Sequence, residues 1–194
     1  DKLLDKEIQV VGVDNLTTNK KDNLRKAVEN RIFHLIDEST GKLDFGLERL
    51  NYLFIVSCGK ENFDRILEIF KKTKCRCLFV SSIDLYDKEN AGEDLKRLKQ
   101  TEAKIAKLAH DYSLNARILR LGPVFGPRMT FSTEDPLIKL LLQSLRSDLQ
   151  EQVSLEFSSR ALYVSDAVEL IIRTIFAGST SQKIFDGVNP TPIK

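Results

Sequence analysis

The chain has 194 residues, of which 42% are apolar and 30% charged; that balance excludes a disordered or collagen-like polymer. A chain of this length buries about 70% of its unfolded surface, so it needs neither disulfide nor metal to hold a core. Its 30 basic and 28 acidic residues leave a net charge of +2, which asks for neither nucleic acid nor an acidic membrane.

The segment Lys2 to Lys6 reads as the tail of a helix, and with Asp1 in first place the chain reads as a piece of a larger one. Ile8 to Val13 is a β-branched run of strand length, ended by Asp14-Asn15. Asn23 to Val28 is helical in character, Arg31 to Ile36 a second strand, and Asn51 to Ser57 a third. Apolar residues at Phe63, Ile66, Leu67, Ile69 and Phe70 give Asn62 to Lys72 a helical period. Cys77 to Ser81 is a fourth strand, Glu93 to Tyr112 a long helix and Ala116 to Leu121 a fifth strand. Helices are expected at Leu137 to Leu145 and Val164 to Phe176, with a last short strand at Lys183 to Phe185.

Short apolar strands alternating with helices are the mark of a parallel sheet buried on both faces. The expectation is an α/β fold with a doubly wound, mostly parallel, Rossmann-like sheet in a single domain over 1–194. The longest apolar runs fall far short of the about 18 residues of a membrane span. The cysteines, Cys58, Cys75 and Cys77, are odd in number and sparse, which points to a reducing, cytoplasmic setting rather than a disulfide framework. Cys75 and Cys77 read as neighbours on one strand face. With His34 and His110 as the only histidines, a histidine-rich metal site is not expected.

Ligands of doubly wound sheets bind beyond the carboxyl ends of the strands, so the strand ends carry the candidates. Asp14 is placed either to accept hydrogen bonds from an adenosine ribose or to cap the next helix as an Asp-Asn turn. Asp37 either lies beside an adenine ring or is a solvated turn residue. Ser81 to Tyr86 (SSIDLY) offers hydroxyls to a substrate oxygen or makes an ordinary turn. Gly122 to Arg128 (GPVFGPR) is a rigid loop in which Arg128 either holds a phosphate or is a surface cation. In Arg160 to Asp166, Ser165 or Asp166 is a helix cap.

In this order the stretches resemble the extended short-chain dehydrogenase/reductase family, in particular its NAD-dependent epimerase/dehydratase branch acting on nucleotide sugars. Asp14-Asn15-Leu16-Thr17-Thr18 is similar to that branch's Asp-Asn-Leu-x-Thr-Gly segment, with Asn19 where Gly is usual. Asn62 is similar to the Asn that opens the helix after the family's fourth strand. Ser81 to Tyr86 resembles Ser-Ser/Thr-x-Glu-Val-Tyr, which implies Ser82 as the catalytic hydroxyl and Asp84 as its accompanying acid. Arg120 to Met129 resembles Arg-x-x-Asn-Val-Tyr-Gly-Pro-Arg, with Pro123 in place of the substrate-binding Asn. Arg160 to Asp166 resembles Arg-x-Phe-x-Tyr-Val-x-Asp, its Arg one residue too close.

The resemblance implies NAD as cofactor, held by Asp14, Asn15, Thr18, Asp37, Asn62, Ser81 and Gly122. It implies a nucleotide sugar met by Pro123, Arg128 and Arg160, in a small substrate lobe beginning at 128–194. NAD is expected over NADP because Asp14 repels a 2′-phosphate, although Lys20 and Lys21 follow. A homodimer through the long helix is a further implication, set against that helix's many charges. The departures are as pointed. The first strand with its Gly-rich phosphate loop is lacking. The register of Glu102 to Leu114 puts Asp94 and Leu98 where the catalytic Tyr-x-x-x-Lys belongs, and Lys99 points about 100° away. Short connections separate Cys58 from Asn62 and Tyr86 from Glu93. Two functions follow: transient hydride transfer on a nucleotide sugar, or a non-catalytic relative that serves as a binding or regulatory module.

Overall fold

A computed structural model describes residues 1–14, 21–37, 49–56, 60–86, 92–129, 161–178 and 180–190, in two compact units, Asp1–Leu47 and Glu48–Lys194. The first unit opens with a 3-10 turn, Leu4–Lys6. Strand β1, Val10–Asp14, is followed by helix α1, Lys21–Val28, and strand β2, Phe33–Asp37. The strands pair in parallel from Val10↔Phe33 to Asp14↔Asp37. Both begin later than their apolar runs because local bonds compete for the backbone. Ile8 N–H closes the 3-10 turn on Leu3 O (3.1 Å), and Ile32 N–H is taken by the Asn30 side chain (3.1 Å).

The second unit holds strand β3, Tyr52–Ile55; helix α2, Lys60–Thr73; strand β4, Arg76–Ser82; a 3-10 turn, Ile83–Tyr86; helix α3, Glu93–Asp111; and strand β5, Ala116–Leu121. Two-residue strands β6, Val124–Phe125, and β7, Leu162–Tyr163, precede helix α4, Val164–Phe176, and strand β8, Ile184–Gly187. The expected helix at Leu137 to Leu145 lies outside the described residues. The main sheet is four-stranded, ordered β3-β4-β5-β8, and parallel throughout.

Alternation along β4 and β5 builds a core on each face of this sheet. Cys77, Phe79, Ala116 and Ile118 join Phe63 and Phe70 of α2 and Ile105 of α3. Leu78, Leu119 and Leu121 join Ala167 and Ile175 of α4. Helices on both faces explain why these strands read as unbroken apolar runs. Cys75 and Cys77 are free and buried in the first core, where burial pushes both thiols up and out of reactive range. At the end of β8, a Cβ on Gly187 would stand 2.6 Å from the Leu121 side chain, so a larger residue there requires that leucine to shift.

One polar residue interrupts the second core. Arg117 is 2% exposed and donates to the carbonyls of Thr174, Ala177 (2.9 Å) and Gly178 (2.7 Å). Arg76 donates to Ile175 (2.9 Å) and Ala177 (3.0 Å). These are the orphan carbonyls of the α4 C-terminus, and the helix's negative end serves as the counter-charge. Burial, with Arg76 nearby, lowers the Arg117 pKa, yet a guanidinium stays protonated. No described helix is long and apolar enough to cross a membrane.

Replacing Arg117 by Met strands one buried carbonyl and two part-buried ones. The expected loss of unfolding free energy is about 3 kcal/mol in urea titration. Arg173→Ala, which removes an exposed pair with Glu169, should change it by less than about 0.5 kcal/mol. Equal effects would show that the Arg117 clamp carries no special weight.

Candidate functional site

The carboxyl end of β4 turns one hydroxyl to each face of the sheet. Ser82 donates to Asp84 Oδ2 (2.8 Å), while Asp84 N–H donates back to Ser82 Oγ (3.2 Å). This reciprocal turn starts the 3-10 segment and fixes the hydroxyl's direction. Ser81 points to the α2/α3 face with Cys77 and Phe79, is 7% exposed, and its Oγ has no hydrogen-bond partner among the described residues. Buried hydroxyls are rarely left so, because the desolvation cost goes uncompensated.

The adjacent strand end is tied down more firmly. Arg120 of β5 grips buried Glu102 of α3 through two bonds, Nε–Oε1 3.0 Å and Nη2–Oε2 2.6 Å. That hydrogen-bonded pairing raises the Arg120 pKa further still. The guanidinium lies 4.6 Å from the centre of the Tyr86 ring. The Tyr86 hydroxyl donates to Asp186 on β8, 3.2 Å from each carboxylate oxygen. A chain of contacts therefore runs from α3, across β5, to the turn after β4 and the end of β8.

Beyond β5 the backbone is already engaged. Gly122 is buried with its N–H on Gly187 O (2.8 Å), and Pro123 O accepts from Leu162 N–H (2.7 Å), which starts the β6–β7 pair. Gly126 has φ 139, and a Cβ there would meet Val164 at 2.8 Å. Met129 N–H closes a turn on Gly126 O (3.2 Å), with Pro127 and Arg128 at its centre. Arg128 takes φ 69, in the place where such turns favour glycine. Next to this loop, an open cavity of about 240 Å³ is lined by Phe125, Tyr163, Asp166 and Asn189 among others; its two rings meet edge to face at 5.6 Å.

The remaining candidates divide between the units. In the first, Asp14 and Asp37 are register partners at the carboxyl ends of β1 and β2, so parallel pairing sets the two acidic residues side by side. In the second, Asn62 is half-buried in the first turn of α2. Asn15, Thr18 and Arg160 lie outside the described residues. Asp94 is exposed and ion-paired with Arg97, and Leu98 packs against the first core. Sequence reasoning missed Arg120 and Asp186 as partners of Tyr86, and Glu102 as the partner of Arg120. For Arg120 and Asp186 the available signal was a charged residue inside an otherwise apolar strand; the pairings span 18 and 100 positions.

These elements define a Rossmann-like, doubly wound α/β protein, and solved structures share its fold. A UDP-glucose 4-epimerase from Thermotoga maritima, solved with UDP-glucose, matches with a TM-score of 0.73 at 21% identity, over 96% of this chain and 71% of its own. A UDP-N-acetylglucosamine 4-epimerase from Methanobrevibacter ruminantium gives 0.72 at 18%, over 97% and 71%. A UDP-glucuronic acid 4-epimerase from Bacillus cereus, solved with UDP-glucuronic acid and NAD, gives 0.70 at 18%, over 99% and 72%. The chain has the fold of these UDP-sugar epimerases. No protein-family model and no curated protein matches its sequence.

Replacing Ser81 by Ala removes the orphaned hydroxyl. The ligand-free protein should gain about 1 kcal/mol, seen as a melting temperature higher by a few degrees in calorimetry. A lower melting temperature would mean that the hydroxyl is satisfied within the fold.

Proposed function

We propose that this chain is a nucleotide-sugar protein of the NAD-dependent epimerase/dehydratase kind. The observation that carries the reading is the end of β4, where buried Ser81 lacks a partner beside the ordered Ser82–Asp84 pair. A ligand atom reaching Ser81 would supply the missing bond. In this reading Ser82 hydrogen-bonds a sugar hydroxyl while Asp84 holds its orientation. Asp14 and Asp37, with Asn15 and Thr18, are the residues of the first unit for the adenosine end of NAD, and Asn62 is a cofactor candidate of the second unit. Gly122, its N–H engaged with Gly187, offers the cofactor close approach. Pro123 shapes the substrate loop, and Arg128 and Arg160 meet the nucleotide's phosphates. When bound, NAD supplies the hydride acceptor for transient oxidation of a sugar hydroxyl.

A second reading, the non-catalytic binding module, is favoured by Asp94 and Leu98. The ion-paired carboxylate and the core-packed leucine supply neither a phenol for proton transfer nor a cation for the ribose. General acid–base help of that kind is typically worth about 10²–10⁴-fold.

Calorimetric titration with NAD and NADP tests the cofactor, with NAD expected about tenfold tighter because a carboxylate at Asp14 opposes a 2′-phosphate. Incubation with NAD and UDP-glucose, followed by proton NMR, then separates the two activities. Conversion of the sugar supports hydride transfer, and binding without conversion supports the module. Failure to bind either dinucleotide or UDP-glucose would remove the proposal.

A further inference from the structure

We propose that Tyr86 is the stacking platform for the sugar ring of the bound nucleotide sugar, an inference that rests on the reading above and names the residue that would recognise the glycosyl group. Tyr86 is 55% exposed, yet its ring is held at both ends. Arg120 covers one face at 4.6 Å, and Asp186 anchors the hydroxyl. Arg120 is in turn fixed by buried Glu102. A half-open aromatic ring with so little freedom left to lose gains contact area at low entropic cost.

The surrounding charges select what the ring receives. Asp84 and Asp186 are both exposed and flank Tyr86 in the turn and on β8. Two carboxylates repel a phosphate and accept hydrogen bonds from hydroxyls. A neutral ring with an apolar C–H face and a rim of hydroxyls satisfies both demands, which is the chemistry of a pyranose. The diphosphate of the same ligand lies away from these carboxylates.

The test has two arms on the full chain. Methyl β-glucopyranoside, which carries no phosphate, is titrated into wild-type protein while the Tyr86 ring resonances are followed by NMR; they are expected to shift. Calorimetry then compares UDP-glucose with UDP. Wild type should bind UDP-glucose roughly tenfold tighter than UDP. Tyr86→Leu should erase that margin without changing UDP affinity, and Tyr86→Phe, still stacked on Arg120, should keep most of it. An unchanged margin in Tyr86→Leu, parallel loss of UDP, or unmoved Tyr86 resonances would overturn the platform. A glucoside that shifts Tyr86 in a protein that ignores UDP would uphold the platform and sink the nucleotide part of the earlier reading. UDP binding with no response to either sugar would do the reverse. The wild-type titration decides even where a variant fails to fold.

Discussion

The fully buried guanidinium of Arg117 sits on the central strand pair, in contact with the C-terminus of α4. A bare charge at that depth would cost several kcal/mol. Here the last carbonyls of a 13-residue helix supply a fixed negative end, with Arg76 bracing the same turn. The helix must therefore end where these arginines reach it. That stop sets where the chain leaves α4 for β8 and, through the β5–β8 register, where Asp186 lies. The amino end of the sheet is thus locked by charge against helix dipole, and the carboxyl end inherits its geometry.

At the carboxyl end the polar groups are arranged differently. Glu102 and Arg120 form a desolvated, bidentate pair whose worth lies in geometry more than in net stability. From it the ring of Tyr86 and the carboxylate of Asp186 extend toward solvent. Ser82 and Asp84 satisfy each other, whereas Ser81 is left unsatisfied. Among the described residues, local rules of satisfaction fail at this hydroxyl, and such failures collect where ligands bind.

The likeness to UDP-sugar epimerases shows how fold and chemistry separate. The fold is shared with these matches at 21% identity or less. It depends on patterning, which many sequences satisfy. Chemistry depends on single side chains, which a shared fold does not fix.

Among the described residues, periodicity alone was enough for the long helices and the main-sheet strands and for the doubly wound class, because burial on both faces imposes apolar strands and amphipathic helices directly on the sequence. Resemblance of short motifs marked Ser82 and Asp84, whose interaction is local, two residues apart. Strand starts at Val10 and Phe33, rather than earlier, were decided by turns that compete for N–H groups. The burial of Arg117, the reach of Tyr86 to Asp186 and the isolation of Ser81 came only with the tertiary structure. Each depends on partners distant in the chain or on the lack of one, and no spacing rule in a single sequence encodes which charged residue inside an apolar strand will find a helix end, a carboxylate or nothing at all.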